Sequence, residues 1–272
     1  MSISLKGKSA LVTGSSRGIG RAIAERLAAY GSTVAINYAR NRQSAQEVVD
    51  GIIGRGGKAV AIQADVSKPA DVRRLFSEAV KAVGPLDIVV ANAGVVLEKP
   101  LVESTEEDYD SVFDINTKGV FFTLQEAARH VRDGGRIVAI STGGTKMHIA
   151  NFSLYLGSKG AIEQFVGSLS RELGPRNVTV NVLSPGFTET DMLLEQYRAY
   201  GAAQSPFNRI GTPEDVAHVA LFLQVTRHAG SRGKTSRPAA AWSEKTTRDH
   251  AADVRRPNRN GRVGPPAYTT MR

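Results

Sequence analysis

Short apolar segments alternate with longer amphipathic segments along most of the chain, and this alternation predicts the fold. Six short runs rich in β-branched residues predict strands at Ser9–Thr13, Thr33–Tyr38, Ala59–Ala64, Asp87–Ala91, Arg136–Ser141 and Val178–Ser184. Six segments with helical periodicity predict helices at Gly20–Tyr30, Gln43–Gly54, Pro69–Val83, Glu106–Val131, Phe152–Leu173 and Pro213–Leu223. Continuous apolar strands are typical of a parallel sheet that helices cover on both faces. The pattern therefore predicts an α/β fold with a doubly wound parallel (Rossmann) sheet of six strands.

The periodic pattern ends at Leu223, and residues 224–272 have a different composition. They contain no Leu, Ile or Phe and are dense in Arg, Ala, Gly and Pro. Such a segment lacks the apolar surface that would offset the entropy cost of ordering. We expect residues 1–223 to form one Rossmann domain and residues 224–272 to be a disordered basic tail.

The formal net charge of +9 comes mainly from that tail. Residues 1–223 carry 24 Lys or Arg against 23 Asp or Glu, whereas residues 224–272 carry 11 against 3. Because the predicted domain is almost neutral, the sequence does not indicate nucleic acid as a specific partner. A nucleic-acid-binding arm in the tail is the alternative, and it would require salt-dependent binding that is lost when the tail is deleted.

Cysteine usage and hydropathy exclude several other classes. The chain has no Cys, which excludes disulfides and thiolate metal sites, and no metal site is predicted. No apolar stretch approaches the ~20 residues that cross a bilayer. Residues 1–9 also lack the apolar run of a signal peptide. We therefore expect a cytoplasmic protein without membrane contact.

A glycine-rich turn joins the first predicted strand to the first predicted helix. It has the spacing G-x-x-x-G-x-G, from Gly14 to Gly20. Such a turn lets the backbone approach a pyrophosphate and points the helix N-terminus at it. A tight turn without a ligand is the alternative, but the position directly after the first strand favours a dinucleotide. The predicted cofactor contacts in this turn are Gly14, Ser16, Arg17, Gly18, Ile19 and Gly20.

The end of the second predicted strand indicates which dinucleotide binds. It reads Tyr38-Ala39-Arg40 and lacks the carboxylate that would accept the ribose 2′-hydroxyl of NAD. Arg40, with Arg17 nearby in the glycine turn, suits the 2′-phosphate of NADP through forked, charge-assisted hydrogen bonds. The alternative is that both are ordinary surface arginines. We predict NADP(H) as the cofactor, with Tyr38 and Arg40 in its site.

The next two strand ends supply further cofactor contacts. Asp65 and Val66 close the third strand, where a carboxylate can accept from the adenine amino group. A plain turn is the alternative for Asp65. Asn92, Ala93 and Gly94 end the fourth strand, and small residues there let a flat ring lie against the backbone at the ligand-binding edge of the sheet.

The sequence Tyr155-Leu156-Gly157-Ser158-Lys159 carries the candidate reactive groups. Residues four apart share one helix face, and a lysine beside a phenol favours the phenolate, so we expect a lowered pKa for Tyr155. A phenol tuned in this way acts as a general acid or base toward a carbonyl or alcohol oxygen. A structural tyrosine beside a solvated lysine is the alternative for an isolated pair, but this pair follows a fifth strand in a chain that has the cofactor turn.

These motifs together resemble the short-chain dehydrogenase/reductase family in its compact single-domain form, over residues from about 5 to 223. They are T-G-x-x-x-G-x-G from Thr13, N-A-G from Asn92, Y-x-x-x-K from Tyr155, and the pair Pro185-Gly186. Within the family, the chain is most similar to 3-oxoacyl-carrier-protein reductases and related ketoreductases. The resemblance implies an NADPH-dependent carbonyl reductase or secondary-alcohol dehydrogenase.

The resemblance also implies roles for individual residues. Tyr155 would pass a proton to the substrate oxygen, Lys159 would hold the nicotinamide ribose, and Asn116 would anchor a water in the proton relay. Thr190 would meet the nicotinamide carboxamide. The family's substrate-binding serine falls on Thr142 by strand register, with Ser141 just before it, and either hydroxyl can donate. The remaining implied cofactor contacts are Pro185, Gly186 and Thr188.

The chain departs from the family after Leu223, where the usual seventh strand is expected to be missing. The abrupt change in composition suggests a frameshifted C-terminus, a hypothesis that sequencing the gene across that codon tests. We expect self-association through the helices at 106–131 and 152–173, as a dimer or a tetramer. The alternative function is an NADP(H)-binding protein with little or no turnover because of the altered C-terminus.

Overall fold

The computed structural model describes residues 4–225 and 235–236, and its centre is a single parallel sheet. The strand order is β3-β2-β1-β4-β5-β6-β7. This order, with parallel pairing throughout, is the doubly wound arrangement that the sequence predicts. The strands are β1 (Ser9–Val12), β2 (Thr33–Tyr38), β3 (Lys58–Gln63), β4 (Leu86–Ala91), β5 (Val131–Ile140), β6 (Thr179–Leu183) and β7 (Thr235–Ser236).

The helices follow the predicted order, with two differences. The segment expected to be one helix from Glu106 is divided by a π-helical turn at Asp114–Gly119 and ends at His130. A short helix between β6 and the last helix was not predicted. The helices are α1 (Gly18–Ala29), α2 (Arg42–Gly54), α3 (Pro69–Val83), α4 (Glu106–Phe113), α5 (Val120–His130), α6 (Ser153–Glu172), α7 (Arg198–Ala203) and α8 (Pro213–Val225).

The six predicted strands are confirmed, and the expectation that a seventh strand is missing needs one correction. Thr235 and Ser236 pair in parallel with Val182 and Leu183 of β6, at the position where a seventh strand was expected to be missing. Pairing of this kind uses backbone N–H and C=O groups, so a polar dipeptide can supply it without apolar side chains. The last helix, α8, continues two residues past Leu223. The other residues of the predicted disordered tail lie outside the part of the chain that the structure describes.

The alternation of side chains along the strands builds one apolar cluster on each face of the sheet. Val12 and Ile36 belong to the cluster that packs with α1, α2 and α8. Leu11 and Ala35 point to the opposite face and join the cluster of α3, α5 and α6. Because both faces are covered, the strands are mainly apolar.

The carboxyl ends of the parallel strands meet at one edge of the sheet, where the predicted site residues lie. The glycine turn follows β1, Arg40 follows β2, Asp65 follows β3 and Asn92 follows β4. Thr142 follows β5, and the segment from residue 184 to 212 follows β6. Among the described residues, no helix is long and apolar enough to cross a membrane.

Candidate active site

The glycine turn forms a close-packed cradle at the start of α1. Gly14 and Gly18 have positive φ angles of 60° and 53°, a conformation that L side chains rarely adopt. At Gly20, an added Cβ atom would lie 2.4 Å from Asn92 Nδ2 and 2.5 Å from the Gly14 carbonyl oxygen. The turn therefore requires glycine for its backbone path at two positions and for packing at a third.

Two asparagines and a threonine hold this turn in place. Asn92 Nδ2 donates to the carbonyl oxygens of Thr13 and Gly14, at 2.9 and 3.0 Å. Thr13 Oγ1 in return accepts from the Asn92 amide at 2.9 Å. Asn37 Oδ1 accepts from the Gly14 amide at 3.0 Å, and its Nδ2 donates to the Ala64 carbonyl at 3.1 Å. These contacts make Asn92 and Asn37 positioning residues for the turn.

Asn37 was not recognised in the sequence. The sequence feature that could have identified it is a single amide side chain within the otherwise apolar strand Thr33–Tyr38. In the structure that side chain is almost fully buried. A buried amide needs hydrogen-bond partners, and the backbone of the glycine turn and of the segment after β3 provides them.

A cavity of about 980 Å³ runs along this edge of the sheet. Every site residue that the sequence predicts lines it, with the exception of Asn116. Its remaining walls come from the loops that follow β4, β5 and β6. A single cavity thus brings together the glycine cradle and the Tyr155–Lys159 pair.

Asn116 lies behind the cavity wall, inside the π-helical turn. Its Oδ1 accepts from the Val95 amide at 2.8 Å, and its Nδ2 donates to the Val95 carbonyl at 2.9 Å and to Ser158 Oγ at 3.0 Å. A Cβ atom on Gly94 would lie 3.1 Å from Asn116 Oδ1 and 3.0 Å from Lys159 Nζ. The π-helical turn therefore brings the amide of Asn116 against α6 and the segment after β4, as π-turns at functional sites commonly do.

Tyr155 and Lys159 lie on one face of α6, and burial dominates their ionisation. Lys159 is 4% exposed and its Nζ donates to the Ile140 carbonyl at 3.1 Å. Burial lowers the pKa of Lys159 from 10.5 to about 8. Burial also raises the pKa of Tyr155, against a smaller lowering by the hydrogen bond with Thr142.

The expected lowering of the pKa of Tyr155 is therefore wrong for the protein without a bound cofactor. The reason is that loss of water penalises the phenolate more than its neighbours stabilise it. Lys159 is the group that titrates near neutral pH. The raised pKa keeps the Tyr155 phenol protonated at neutral pH.

The two hydroxyl groups at the end of β5 have different environments. Ser141 is buried and its Oγ donates to the Lys159 carbonyl at 3.2 Å. Thr142 hydrogen-bonds to the Tyr155 phenol, and its Oγ1 accepts from the Gly144 amide at 3.2 Å. The Ser141 hydroxyl is therefore engaged with the backbone of α6, whereas the Thr142 hydroxyl lies beside the Tyr155 phenol.

The outer residues of the site are partly engaged with one another. Arg17 Nη1 pairs with Asp191 Oδ2 at 3.0 Å, and both side chains are well exposed. Asp65 Oδ1 accepts from the Ser67 amide at 3.0 Å and from its hydroxyl at 2.7 Å. Within residues 4–225 and 235–236, no three His, Asp or Glu side chains are grouped as metal ligands would be.

The low pKa of Lys159 predicts a dependence of stability on pH. The unfolded chain keeps this proton up to about pH 10.5, whereas the folded chain releases it near pH 8. Between these values the unfolded state binds more protons, so the free energy of unfolding rises with pH, by about 1 kcal/mol per pH unit. Urea unfolding at pH 8 and pH 10 measures this slope, and it should be absent in Lys159→Met. An equal slope in that variant would contradict the assignment.

The sheet order, the glycine cradle and the Tyr155–Lys159 pair on α6 define a Rossmann-fold oxidoreductase. The chain belongs to the short-chain dehydrogenase/reductase family. A family model described as "Enoyl-(Acyl carrier protein) reductase" matches residues 14–236. The chain is similar to hydroxynaphthalene reductase-like protein Arp2 of Metarhizium brunneum, with 45% identity over 237 residues that cover 81% of this chain and 89% of that protein.

Two solved structures extend the comparison. A short-chain dehydrogenase from Burkholderia cenocepacia, in complex with NADP, superposes with a TM-score of 0.83 at 40% identity, covering 87% of this chain and 98% of that one. The landomycin C-6 ketoreductase LanV, with bound NADP and rabelomycin, gives a TM-score of 0.80 at 37% identity, covering 88% and 97%.

Proposed function

We propose that this protein is an NADPH-dependent carbonyl reductase, which catalyses secondary-alcohol oxidation in the reverse direction. The observation that carries the proposal is that the Tyr155 phenol and the Lys159 amine line the same cavity as the glycine cradle. That arrangement brings a proton donor within reach of a substrate held against a dinucleotide.

The residues of the cavity fit NADPH. The cradle brings backbone N–H groups and the α1 N-terminus to one end, which suits a pyrophosphate. Arg40 and Arg17 line the cavity and suit the 2′-phosphate. Ala93, Gly94 and the segment from Pro185 to Thr190 form the walls where the nicotinamide half would lie. When bound, NADPH supplies a hydride to the carbonyl carbon.

Residues of this chain then bind and protonate the substrate oxygen. The Thr142 hydroxyl donates a hydrogen bond to the carbonyl oxygen and the Tyr155 phenol transfers its proton to it, which leaves a phenolate. Lys159, with its pKa of about 8, is largely protonated at neutral pH and stabilises that phenolate. Asn116 keeps the segment after β4 against α6, so that the amine and the phenol stay aligned. Alcohol oxidation uses the same groups in the opposite order.

We propose a flat aromatic ketone as the substrate class. Five side chains of the cavity lining are aromatic or sulfur-containing, namely Met147, Phe152, Phe187, Met192 and Tyr197, and they lie among the aliphatic side chains of Ile149, Leu156, Leu193 and Leu194. Aromatic and sulfur-containing side chains stack on fused rings. The similarity to a hydroxynaphthalene reductase-like protein and to a ketoreductase solved with rabelomycin supports this class.

The test is NADPH consumption by the purified full-length protein with 2-tetralone, with ethyl acetoacetate and with an acetoacetyl thioester. We expect turnover with 2-tetralone at the highest kcat/KM. Binding of NADPH without consumption on any ketone would favour the alternative, an NADP(H)-binding protein with little turnover because of its altered C-terminus.

Arg40 provides the test of cofactor choice. Arg40→Gln removes a positive charge that would contact the 2′-phosphate of NADPH, a group that NADH lacks. We therefore expect the KM for NADPH to rise about tenfold while the KM for NADH changes little. Arg42→Gln is the matched control, because Arg42 is exposed at the start of α2 and does not line the cavity. Steady-state kinetics with both nucleotides measure the effect. An equal rise for both nucleotides would contradict a 2′-phosphate contact.

We also propose self-association through α5 and α6. Phe121 is 43% exposed on α5 and contacts Phe165 of α6, with ring centroids 5.3 Å apart. Aromatic side chains that are exposed in the single chain are typical of protein–protein interfaces. The site residues lie at the sheet edge, so both copies would keep an open cavity.

A further inference from the structure

Tyr197 forms an outer wall of the substrate cavity. It ends a 3₁₀ turn at Glu195–Tyr197, just before α7. Its ring meets Phe152 edge to face with centroids 5.5 Å apart, and it stacks on Phe187 at 6.4 Å. Phe152 in turn contacts Tyr155 at 6.3 Å. One intervening ring therefore connects Tyr197 with the proposed proton donor.

Glu98, from the loop after β4, holds this wall with both carboxylate oxygens. Oε1 accepts from the Tyr197 hydroxyl at 2.5 Å, and Oε2 accepts from Gln196 Nε2 at 2.9 Å. A hydrogen bond from a phenol to a carboxylate is among the stronger ones. The same contact raises the pKa of Tyr197, so the phenol keeps the proton that it donates.

The loop that carries Glu98 is itself anchored to two other elements. The Lys99 amide donates to the Asn151 carbonyl at 2.7 Å. Lys99 Nζ pairs with Asp108 Oδ2 at 2.5 Å, and Asp108 is part of the capping box that starts α4 with Thr105. Glu98 is thus fixed to the body of the domain and does not depend on the segment it holds.

The segment of Tyr197 has weaker connections of its own. Arg198 pairs with Glu189 and with Glu195, but all three residues belong to the same stretch after β6. The pair of Arg17 with Asp191 does reach another loop, but both side chains are more than 60% exposed, and exposed ion pairs contribute little.

We propose that Glu98 is a specificity-determining residue that acts through Tyr197, and that it fixes the ring as a rigid wall for flat aromatic substrates. This inference rests on the proposed ketoreductase function. Because the Tyr197 ring is already held in place, its side chain loses no further conformational entropy when a substrate stacks on it. A small aliphatic ketone that does not reach Tyr197 gains nothing from it.

Kinetics with two ketones test the specificity. In Glu98→Ala, we expect the KM for 2-tetralone to rise about tenfold with kcat changed less than about twofold, as for lost substrate binding. The fall in kcat/KM should be at least about fivefold larger for 2-tetralone than for ethyl acetoacetate. Glu98→Gln keeps an acceptor for the Tyr197 hydroxyl and should recover most of the loss. Equal losses for the two ketones would overturn the proposal.

Amide hydrogen exchange over residues 193–204 tests the contact without turnover. In the protein free of ligands, Glu98→Ala should speed exchange there, with Glu98→Gln intermediate. Glu103→Gln is the matched control, because Glu103 is an exposed glutamate on the same loop, outside the cavity. Unchanged exchange in Glu98→Ala would overturn the proposal. If the wild type reduces no ketone, the proposed function fails, while the exchange still decides whether Glu98 holds this segment.

A second variant covers the case in which Glu98→Ala does not fold. Tyr197→Phe removes the hydrogen bond to Glu98 and keeps the ring. We expect faster exchange over the same residues and a higher KM for 2-tetralone. A wild-type KM and wild-type exchange in this variant would overturn the role of the Glu98–Tyr197 contact.

Discussion

Tyr155→Phe is expected to lower kcat for ketone reduction by about 10³-fold, the range found for loss of a general acid. The variant keeps the ring and its contact with Phe152 but removes the proton that the substrate oxygen receives. The raised pKa of Tyr155 keeps its phenol protonated in the wild type, and no other acidic side chain in the described part of the chain is placed to replace it in the variant. Single-turnover oxidation of NADPH with 2-tetralone measures the chemical step directly.

The control separates the chemistry from binding and folding. Tyr109→Phe alters an exposed tyrosine that stacks on Phe113, and its kcat should match that of the wild type. NADPH affinity, measured by fluorescence, should be little changed in Tyr155→Phe. A variant that retains a tenth of the wild-type kcat would contradict the assignment of Tyr155 as the proton donor.

Gly20→Ala is expected to lower NADPH affinity about 100-fold, equivalent to about 3 kcal/mol, and to destabilise the fold. The added methyl would lie 2.4 Å from Asn92 Nδ2 and 2.5 Å from the Gly14 carbonyl oxygen. One of these neighbours is backbone, so the turn itself must move, and overpacking of this kind typically costs 1–3 kcal/mol. Isothermal titration with NADPH and thermal unfolding together measure both effects.

Gly51→Ala is the matched control for the same chemical change. Gly51 lies in α2, where an added Cβ atom would meet only the flexible end of Arg55, at 3.6 Å. Replacing a helical glycine by alanine stabilises by up to about 1 kcal/mol, so Gly51→Ala should bind NADPH normally and unfold at a slightly higher temperature. Normal NADPH affinity in Gly20→Ala would show that the cradle does not contact the cofactor.

The sequence predicted six of the strands because each contains a mainly apolar run between turn residues. It also predicted part of the cavity lining, because the carboxyl ends of parallel strands meet at one edge. It could not predict the π-helical turn at Asp114–Gly119. The hydrophobic period there is close to that of an α-helix, and the extra residue is fixed by Asn116 bonding to Val95 and Ser158, which are distant in sequence.

The sequence also could not predict the direction of the pKa shift of Tyr155. The spacing to Lys159 indicates proximity, but burial decides which form of the phenol is favoured. The contact of Glu98 with Tyr197 joins two loops that are 99 positions apart. Neither residue belongs to a motif, so only the fold brings them together.

The π-helical turn has a consequence for insertions and deletions in this protein. A regular α-helix advances about 100° per residue, so the one extra residue between α4 and α5 changes the rotational phase of one helix relative to the other. Deleting any one residue of Asp114–Gly119 would restore a continuous helix. The same deletion would turn either Asn116 away from Val95 or the buried face of α5, with Leu124 and Ala127, away from the sheet. The length of this short stretch is therefore constrained in addition to the identity of Asn116.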